Sequence, residues 1–479
     1  MRGEAGAGRG RRGGVAAPVA VFAVTRAVLL LYVWKVLTVP GGMDVTSDVS
    51  VIYRGWYDRL SAGTFPSGDV TWQYPPAAAL VVLAPGLLAG LLDYASAFFV
   101  LACTADAAVL AMLLYATGRR AARGRRRAPR AEGRRRAGVW AWVAGVPLLG
   151  PTAYARYDLM VTALAVAALL AAARSPRWAG VLAGLGAMVK VWPALLLLGT
   201  PRGRATRTTW TWALVTVLVL AAGFAATMPG SLDFLTGQRD RGTEVESVGA
   251  LALHAARHFA GWDGEVLLRY GSMEFVGPGV RRVTEAAVVL TGAAFGWLLL
   301  WRLRARHWTA GTVADAALAA VLVFVVTSRV LSPQYLLWLV GLAAVCLTLR
   351  AGRQALPAWL VLVATGLTQV EFPIRFADVV ASEGIGTLAL VVRNLLLVVA
   401  AVLACARLWR STVPHPAGAV AASGRRPPAD DAGGGHDEDG GDDAGSGHGE
   451  RPGGVREQPV GEDGGVPGMR GRPGERQLS

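Results

Sequence analysis

The chain has 479 residues, 53% of them hydrophobic and 17% charged, with a mean hydropathy of +0.41 and a formal net charge of +15. An average soluble domain carries about 25% charged residues, whereas here apolar runs near the ~20 residues that cross a bilayer as a helix recur along the chain. This excludes a soluble enzyme, a secreted disulfide scaffold and a nucleic-acid-binding domain, because the arginines stand in short segments between apolar runs, as membrane proteins mark their cytoplasmic side.

Residues 1–14 hold Arg2, Arg9, Arg11 and Arg12 and are predicted to be a basic cytoplasmic amino terminus. The run 15–37 is too long for a signal-peptide core and no small-residue cleavage pattern follows, so it reads as an uncleaved first span. The segment 118–138 carries ten arginines against one glutamate and belongs inside. Of the two apolar runs between these anchors, 75–92 and 95–116, only one can then cross. The first is shorter and is broken by Pro85-Gly86, where a spanning helix needs continuous hydrogen bonds. It is read as a surface or dipping helix, and 38–94 becomes one large outer loop.

Within that loop Ser47 precedes a helix whose Tyr53, Trp56, Tyr57 and Leu60 share one face at i, i+3, i+4 and i+7. That face is predicted to lie in the membrane interface with its aromatic rings at headgroup level. Asp48, near the helix start, is the carboxylate singled out to accept a proton from a substrate hydroxyl. Asp44, Asp58 and Asp69 compete with it, and spacing does not separate a base from a cap or an ion-pair partner.

Arginine-bearing turns at 174–177, 202–207, 302–306, 350–353 and 407–410 place further spans near 139–153, 158–173, 208–228, 283–303, 310–328, 333–349, 355–370 and 386–406. The segment 178–199 has arginines at both flanks and can cross once but not twice at about 1.5 Å per residue. Lys190-Val191-Trp192-Pro193 in its middle marks a broken or re-entrant helix. The expected fold is an all-α, polytopic transmembrane helical bundle over 15–410, with about ten to twelve spans of the length a bilayer requires. It is placed in the plasma membrane with both termini cytoplasmic. The tail 411–479, rich in Gly, Pro and Asp, cannot bury a core and is predicted to be disordered and cytoplasmic. Its His415, His436 and His448 are scattered, and Cys103, Cys346 and Cys405 show neither ligand spacing nor a disulfide pattern.

The second outer loop, 229–282, opens with Gln238-Arg239-Asp240-Arg241-Gly242-Thr243-Glu244-Val245-Glu246-Ser247. Arg239 and Arg241 offer guanidinium forks for phosphate oxygens; the bland alternative is a salt-bridged loop. His254 and His258 stand one helical turn apart with no third ligand visible. Arg329 precedes Val330-Leu331-Ser332-Pro333-Gln334-Tyr335 at an outer membrane edge. Lys190 lies inside an apolar segment, where an ionisable group is costly and marks function by default. Snorkelling is the alternative for both.

In order along the chain, Ser47-Asp48 with Tyr53, Gly63 and Trp72-Gln73-Tyr74-Pro75-Pro76 resembles the first outer loop of family-87 polytopic glycosyltransferases of the GT-C superfamily. Ala179-Gly180, Gly184-Leu185-Gly186 and Lys190-Val191-Trp192-Pro193 are similar to that family's glycine-rich segment ending in Lys-x-x-Pro. Arg241-Gly242 with Glu246-Ser247, and Ser332-Pro333-Gln334-Tyr335 with Trp338, resemble two later elements. The set spans about residues 47–375.

The resemblance implies an actinobacterial-type enzyme that takes mannose from polyprenyl-phosphate mannose at the outer face of the membrane. It would pass the sugar, with inversion, to a lipid-linked or cell-envelope glycan acceptor. The family's catalytic aspartate lies in the first outer loop, where Asp48 matches best. The needs of inverting transfer then make Asp48 the expected base, with Lys190, Arg239, Arg241 and Arg329 receiving the phosphate and Trp72 and Tyr74 lining the sugar site. Glu246, Gln334 and Tyr335 complete the substrate-binding set. No metal or other cofactor is expected, and the partners are the bilayer, the donor lipid and the acceptor. Where the family often has Gly-Gln-x-Asn, this chain has Ala155-Arg156-Tyr157-Asp158. A transporter or flippase of lipid-linked sugar, or a non-catalytic relative, are the alternatives. Convergence of Asp48, Arg329 and the 239–241 loop on one cavity separates them from an enzyme.

Overall fold

The computed structural model describes residues 4–39, 41, 43–123, 130–237, 241–349 and 352–414, all within a single unit, Met1–Val420. Arg239 and the tail from 415 lie outside the described residues. The chain opens with α1 (Glu4–Val33), whose backbone is helical well into the basic amino-terminal segment. A π-helical turn, Asp48–Tyr53, runs into α2 (Arg54–Ser61), followed by α3 (Ala78–Leu83) and a 3₁₀ turn, Ala84–Leu88. Then come α4 (Tyr94–Arg123), α5 (Arg130–Leu148), α6 (Asp158–Ala172), α7 (Pro176–Val189) and α8 (Arg204–Thr227). The second loop region holds β1 (Thr243–Glu244), α9 (Ala250–Ala260), β2 (Glu265–Arg269) and β3 (Ser272–Val276). The chain closes with α10 (Val280–Arg304), α11 (Thr312–Thr327), α12 (Tyr335–Thr348), α13 (Ala355–Gln369), α14 (Phe376–Ala381) and α15 (Gly384–Thr412).

This is an all-α, multi-pass membrane architecture. Among the described residues six segments are long and apolar enough to cross a bilayer: Val15–Val33, Tyr94–Gly118, Arg204–Thr227, Val280–Arg304, Ala355–Ile374 and Gly384–Thr412. The sequence suggests ten to twelve spans. The remaining helices at expected spans are too short or too charged: α6, α7, α11 and α12 have only 15, 14, 16 and 14 residues, and α5 begins with a basic stretch. The two classes also differ in burial. On α8 and α10 Leu218, Val219, Val288 and Val289 are exposed, an apolar surface that suits lipid, whereas α11 and α12 are buried along most of their length.

The broken segment folds as its sequence suggests. Helix α7 covers about 21 Å at 1.5 Å per residue before Lys190 leaves helical geometry and Pro193 enters a 3₁₀ stretch, Trp192–Gly199. That stretch leads back to the start of α11, so both flanks of 176–199 lie at one end of the bundle and Lys190 at the other. Two glycines let α8 close on α7. A Cβ at Gly180 would lie 2.2 Å from the carbonyl oxygen of Thr209, and one at Gly184 would lie 2.6 Å from that of Ala213.

The arginine-bearing turns gather at that first end. Arg302 donates to the carbonyl of Leu198 (3.1 Å) and the hydroxyl of Thr206 (2.9 Å), and Arg407 donates to the carbonyl of Arg353 (3.0 Å). The long polar segments collect at the opposite end. The run 75–92 forms only a six-residue helix and a 3₁₀ turn, too short to span, fastened by Tyr94 Oη donating to the Val82 carbonyl at 3.0 Å.

Two features depart from expectation. Tyr53, Trp56 and Leu60 are each only 3% exposed. Their shared face packs inward, with Tyr53 5.5 Å from Phe98 of α4 and Trp56 4.9 Å from Trp72, so protein covers the rings that were predicted to sit at headgroup level. The loop region also contains an antiparallel sheet in the order β1-β3-β2, with Glu244 opposite Glu274. Its first strand has two residues, too few for an alternating pattern to register.

Candidate functional site

A cavity of about 710 Å³ opens at the end opposite the arginine turns. Asp48, Tyr74, Lys190, Arg241, Glu246, Arg329, Gln334 and Tyr335 all line it, as do Arg156, Glu244 and Trp338. Asp48, Arg241 and Arg329, from three distant stretches of chain, therefore share one cavity. Trp72 does not line it. Its indole N–H donates to the Tyr74 carbonyl (3.0 Å) and its ring packs edge-on against Trp56 and Phe65, so it braces Tyr74 from behind.

The four competing acids separate by their partners. Asp44 accepts from the amide and hydroxyl of Thr46 and from Lys35. Burial raises its pKa, but these hydrogen bonds outweigh burial and hold it below the usual carboxylate value. Asp69 is held low in the same way by Thr71 and Trp56 against the pull of burial, and Asp58 is an exposed partner of Arg54. Asp58 and Asp69 are absent from the cavity lining, whereas Asp44 lines it beside Asp48 with its oxygens engaged by Thr46 and Lys35. Asp48 heads the π-helical turn, and its Oδ2 lies 2.9 Å from Arg156 Nη2.

Lys190 sits deeper. Its ammonium is 2.7 Å from Asp158 Oδ1, and the Trp338 indole donates to the same oxygen at 2.6 Å. The rings of Tyr74, Tyr157, Tyr335 and Trp338 surround it, with centroids 5.4, 5.1, 5.4 and 5.0 Å from Nζ. Tyr335 stacks on Trp338 at 3.9 Å, and Trp192 stacks on the same indole at 5.2 Å. The ammonium is thus satisfied by one carboxylate and four π faces, an arrangement that stabilises a desolvated cation.

On the third wall Arg241 bonds Glu274 (3.1 Å), the Ser272 hydroxyl (2.8 Å) and the Gln73 carboxamide oxygen, which ties the first loop to the sheet. Glu244 accepts from the Leu331 amide (2.6 Å) and the Ser332 hydroxyl (2.9 Å), fastening β1 to the turn before α12. Burial pushes its carboxyl up, against the pull of Arg241. Glu246 is 4% exposed; burial, then the neighbouring Glu371 and Glu244 carboxylates, push it well above the usual value. Behind it Arg393 pairs with Glu371 at 2.8 Å, and Arg393 and Asn394 both donate to the Glu246 carbonyl at 3.2 Å. His254 is no ligand candidate, because its ring nitrogens meet the Ser382 hydroxyl and the Val245 carbonyl, each at 2.8 Å.

Arg156 and Glu244 line the cavity beyond the residues expected from the sequence, and Asp158, Glu274, Glu371 and Arg393 back its wall as ion-pair partners. A signal was present for several of them. Arg156 and Asp158 interrupt an apolar stretch, as Lys190 does, and an ionisable group in such a run points to a partner.

The chain matches the sequence profile of Glycosyltransferase family 87 across residues 72–333, just over half its length. The matched stretch takes in Arg156, Asp158, Lys190, Arg241–Glu246 and Arg329, while Asp48 precedes it. No curated protein and no solved structure matches the chain significantly. The polytopic bundle and this match together establish that the chain belongs to glycosyltransferase family 87, and that it is a membrane glycosyltransferase.

Proposed function

We propose that the protein moves a hexose, mannose by the resemblance of its motifs, from a polyprenyl phosphate to a lipid-linked or cell-envelope glycan acceptor. The observation that carries this reading is one cavity in which a carboxylate, Asp48, stands with four basic side chains, Arg156, Lys190, Arg241 and Arg329. Inverting transfer needs one base for the acceptor hydroxyl and charge stabilisation for a leaving group that departs without a proton.

In this mechanism Asp48 takes the hydroxyl proton as the acceptor oxygen attacks the anomeric carbon from the face opposite the phosphate. The bond from that carbon to the phosphate oxygen breaks, and its electron pair stays on the phosphate. Arg241 and Arg329 receive the developing charge, while Lys190, paired with Asp158, holds the aromatic wall behind them. These cations do the work that a divalent ion does in nucleotide-sugar enzymes. Tyr74 and Tyr335 flank the sugar, Glu246 and Gln334 bond its hydroxyls, and the proton on Asp48 passes to water before the next turnover. Arginine turns favour the cytoplasmic side, and the cavity lies at the other end, which supports transfer at the outer face of the plasma membrane.

The test is to supply the purified protein in liposomes with labelled polyprenyl-phosphate mannose or with nucleotide-activated mannose, each with membrane glycolipids as acceptors. Transfer from the polyprenyl phosphate alone is expected. Use of the nucleotide sugar in its place would overturn the reading.

A further inference from the structure

We propose that Arg156 is a positioning residue for transfer: it fixes the segment 45–48 so that the second oxygen of Asp48 is presented to the acceptor. The proposal rests on the reading of Asp48 as the base. One guanidinium grips this segment at two points, with Nη2 2.9 Å from Asp48 Oδ2 and Nη1 donating to the Val45 carbonyl at 3.1 Å. The same Nη1 donates to the carbonyl of Ala155 at 2.8 Å, which ties the grip to its own turn. A planar fork can make these bonds together, whereas an ammonium on a flexible stem cannot.

Short-range bonds already shape the backbone here, with Thr46 and Ser47 bonded to Asp44, and Arg156 adds the tie from Val45 and Asp48 to a distant turn. Asp48 begins the π-helical turn, and Ser47 before it makes no side-chain capping bond. Arg156, by contrast, stands on a turn anchored in the bundle. The 3₁₀ turn Gly150–Ala153 is buried throughout. Next to it Tyr154 donates to Asp106 at 2.9 Å, and Asp106 is itself held by Arg26 (2.8 Å) and the Trp142 indole (2.7 Å). On the other side Tyr157 packs against Tyr53 and Tyr74, and Asp158 holds Lys190. A turn locked on both sides therefore transmits the rigidity of the bundle to the base. The Arg156 side chain is 11% exposed, so its pair with Asp48 is better shielded than a surface ion pair.

Steady-state transfer from labelled polyprenyl-phosphate mannose, measured in liposomes, tests the proposal with Arg156→Met, Arg156→Lys and Asp48→Asn. Since a misplacement of about 1 Å can cost roughly 100-fold, Arg156→Met should lower kcat by about that factor. Its donor KM should stay within about twofold, as for loss of an interaction used only in the transition state. Arg156→Lys should recover part of the rate, because an ammonium reaches Asp48 but not both carbonyls. Should Arg156→Met not fold, Arg156→Lys decides alone: an intermediate kcat supports the proposal and a wild-type kcat overturns it. A raised donor KM with unchanged kcat would make Arg156 a phosphate ligand and overturn it too. Inactive Asp48→Asn beside unimpaired Arg156→Met would sink the positioning role while leaving the base in place. Active Asp48→Asn would remove the base and this proposal together.

Discussion

The two ends of the bundle use the same side chains in opposite ways. At the arginine-rich end Arg302 and Arg407 donate to neutral groups, the Leu198 carbonyl and Thr206 hydroxyl for Arg302 and the Arg353 carbonyl for Arg407. At the other end Arg156, Lys190 and Arg241 face carboxylates: Asp48, Asp158 and Glu274. The first arrangement closes turns and does not depend on a titrating partner. The second assembles charge of both signs around a cavity, where a lost partner leaves the other charge in a poorly solvated place.

That contrast can be broken deliberately. The largest effect on stability belongs to the Lys190–Asp158 pair, because Lys190→Met leaves an aspartate that is 1% exposed without its cation. Breaking a buried pair costs about 3–5 kcal/mol, so the thermal unfolding midpoint in detergent should fall steeply. The double variant Lys190→Met with Asp158→Asn should recover much of the loss, and equal losses in both would show that the pair is not the cause. Next comes Arg329→Ala, which should raise donor KM about tenfold, a difference of roughly 1.4 kcal/mol, with acceptor KM unchanged. Equal changes for both substrates would place Arg329 outside the phosphate site. Smaller still is Arg302→Ala at the far end. Loss of its bonds should cost about 1 kcal/mol of stability and leave kcat alone, and a lower kcat would contradict the division of labour between the ends.

Acid provides the mildest probe. Asp44 and Asp69 have folded-state pKa values below the usual carboxylate value, so the stability they contribute is present above the unfolded value of about 4 and lost as pH falls below it. Hydrogen exchange at pH 3.5 should therefore show the loop around residues 44–72 losing protection before the turns at Arg302 and Arg407. Simultaneous loss would count against the contrast.

Much of this was legible in the residues, for identifiable reasons. The break at Lys190-Pro193 announces itself because proline and a buried cation both interrupt a helix. The short fold of 75–92 follows from Pro85-Gly86. The gathering of Asp48, Arg241 and Arg329 was foreseeable from polar stretches separated by apolar runs. The partners were not legible. Asp48 and Arg156 are 108 positions apart, and Asp158 and Lys190 are 32 apart, so no local spacing links them. The place of Trp72 behind Tyr74 was not legible either, because a tryptophan beside a motif looks the same whether its indole faces a cavity or, as here, the carbonyl of Tyr74. The buried face of Tyr53, Trp56 and Leu60 fits an interfacial helix and a packed one equally well by periodicity, and only α4 and Trp72 decide it.

The central claim is that transfer happens in this cavity with Asp48 as the base. Single-turnover transfer from labelled polyprenyl-phosphate mannose by wild type and Asp48→Asn, at matched amounts of folded protein in liposomes, tests it most directly. General-base catalysis contributes about 10²–10⁴-fold, so the variant should lose transfer by at least the lower of these factors while still binding the donor. A variant that transfers at the wild-type rate would contradict the account.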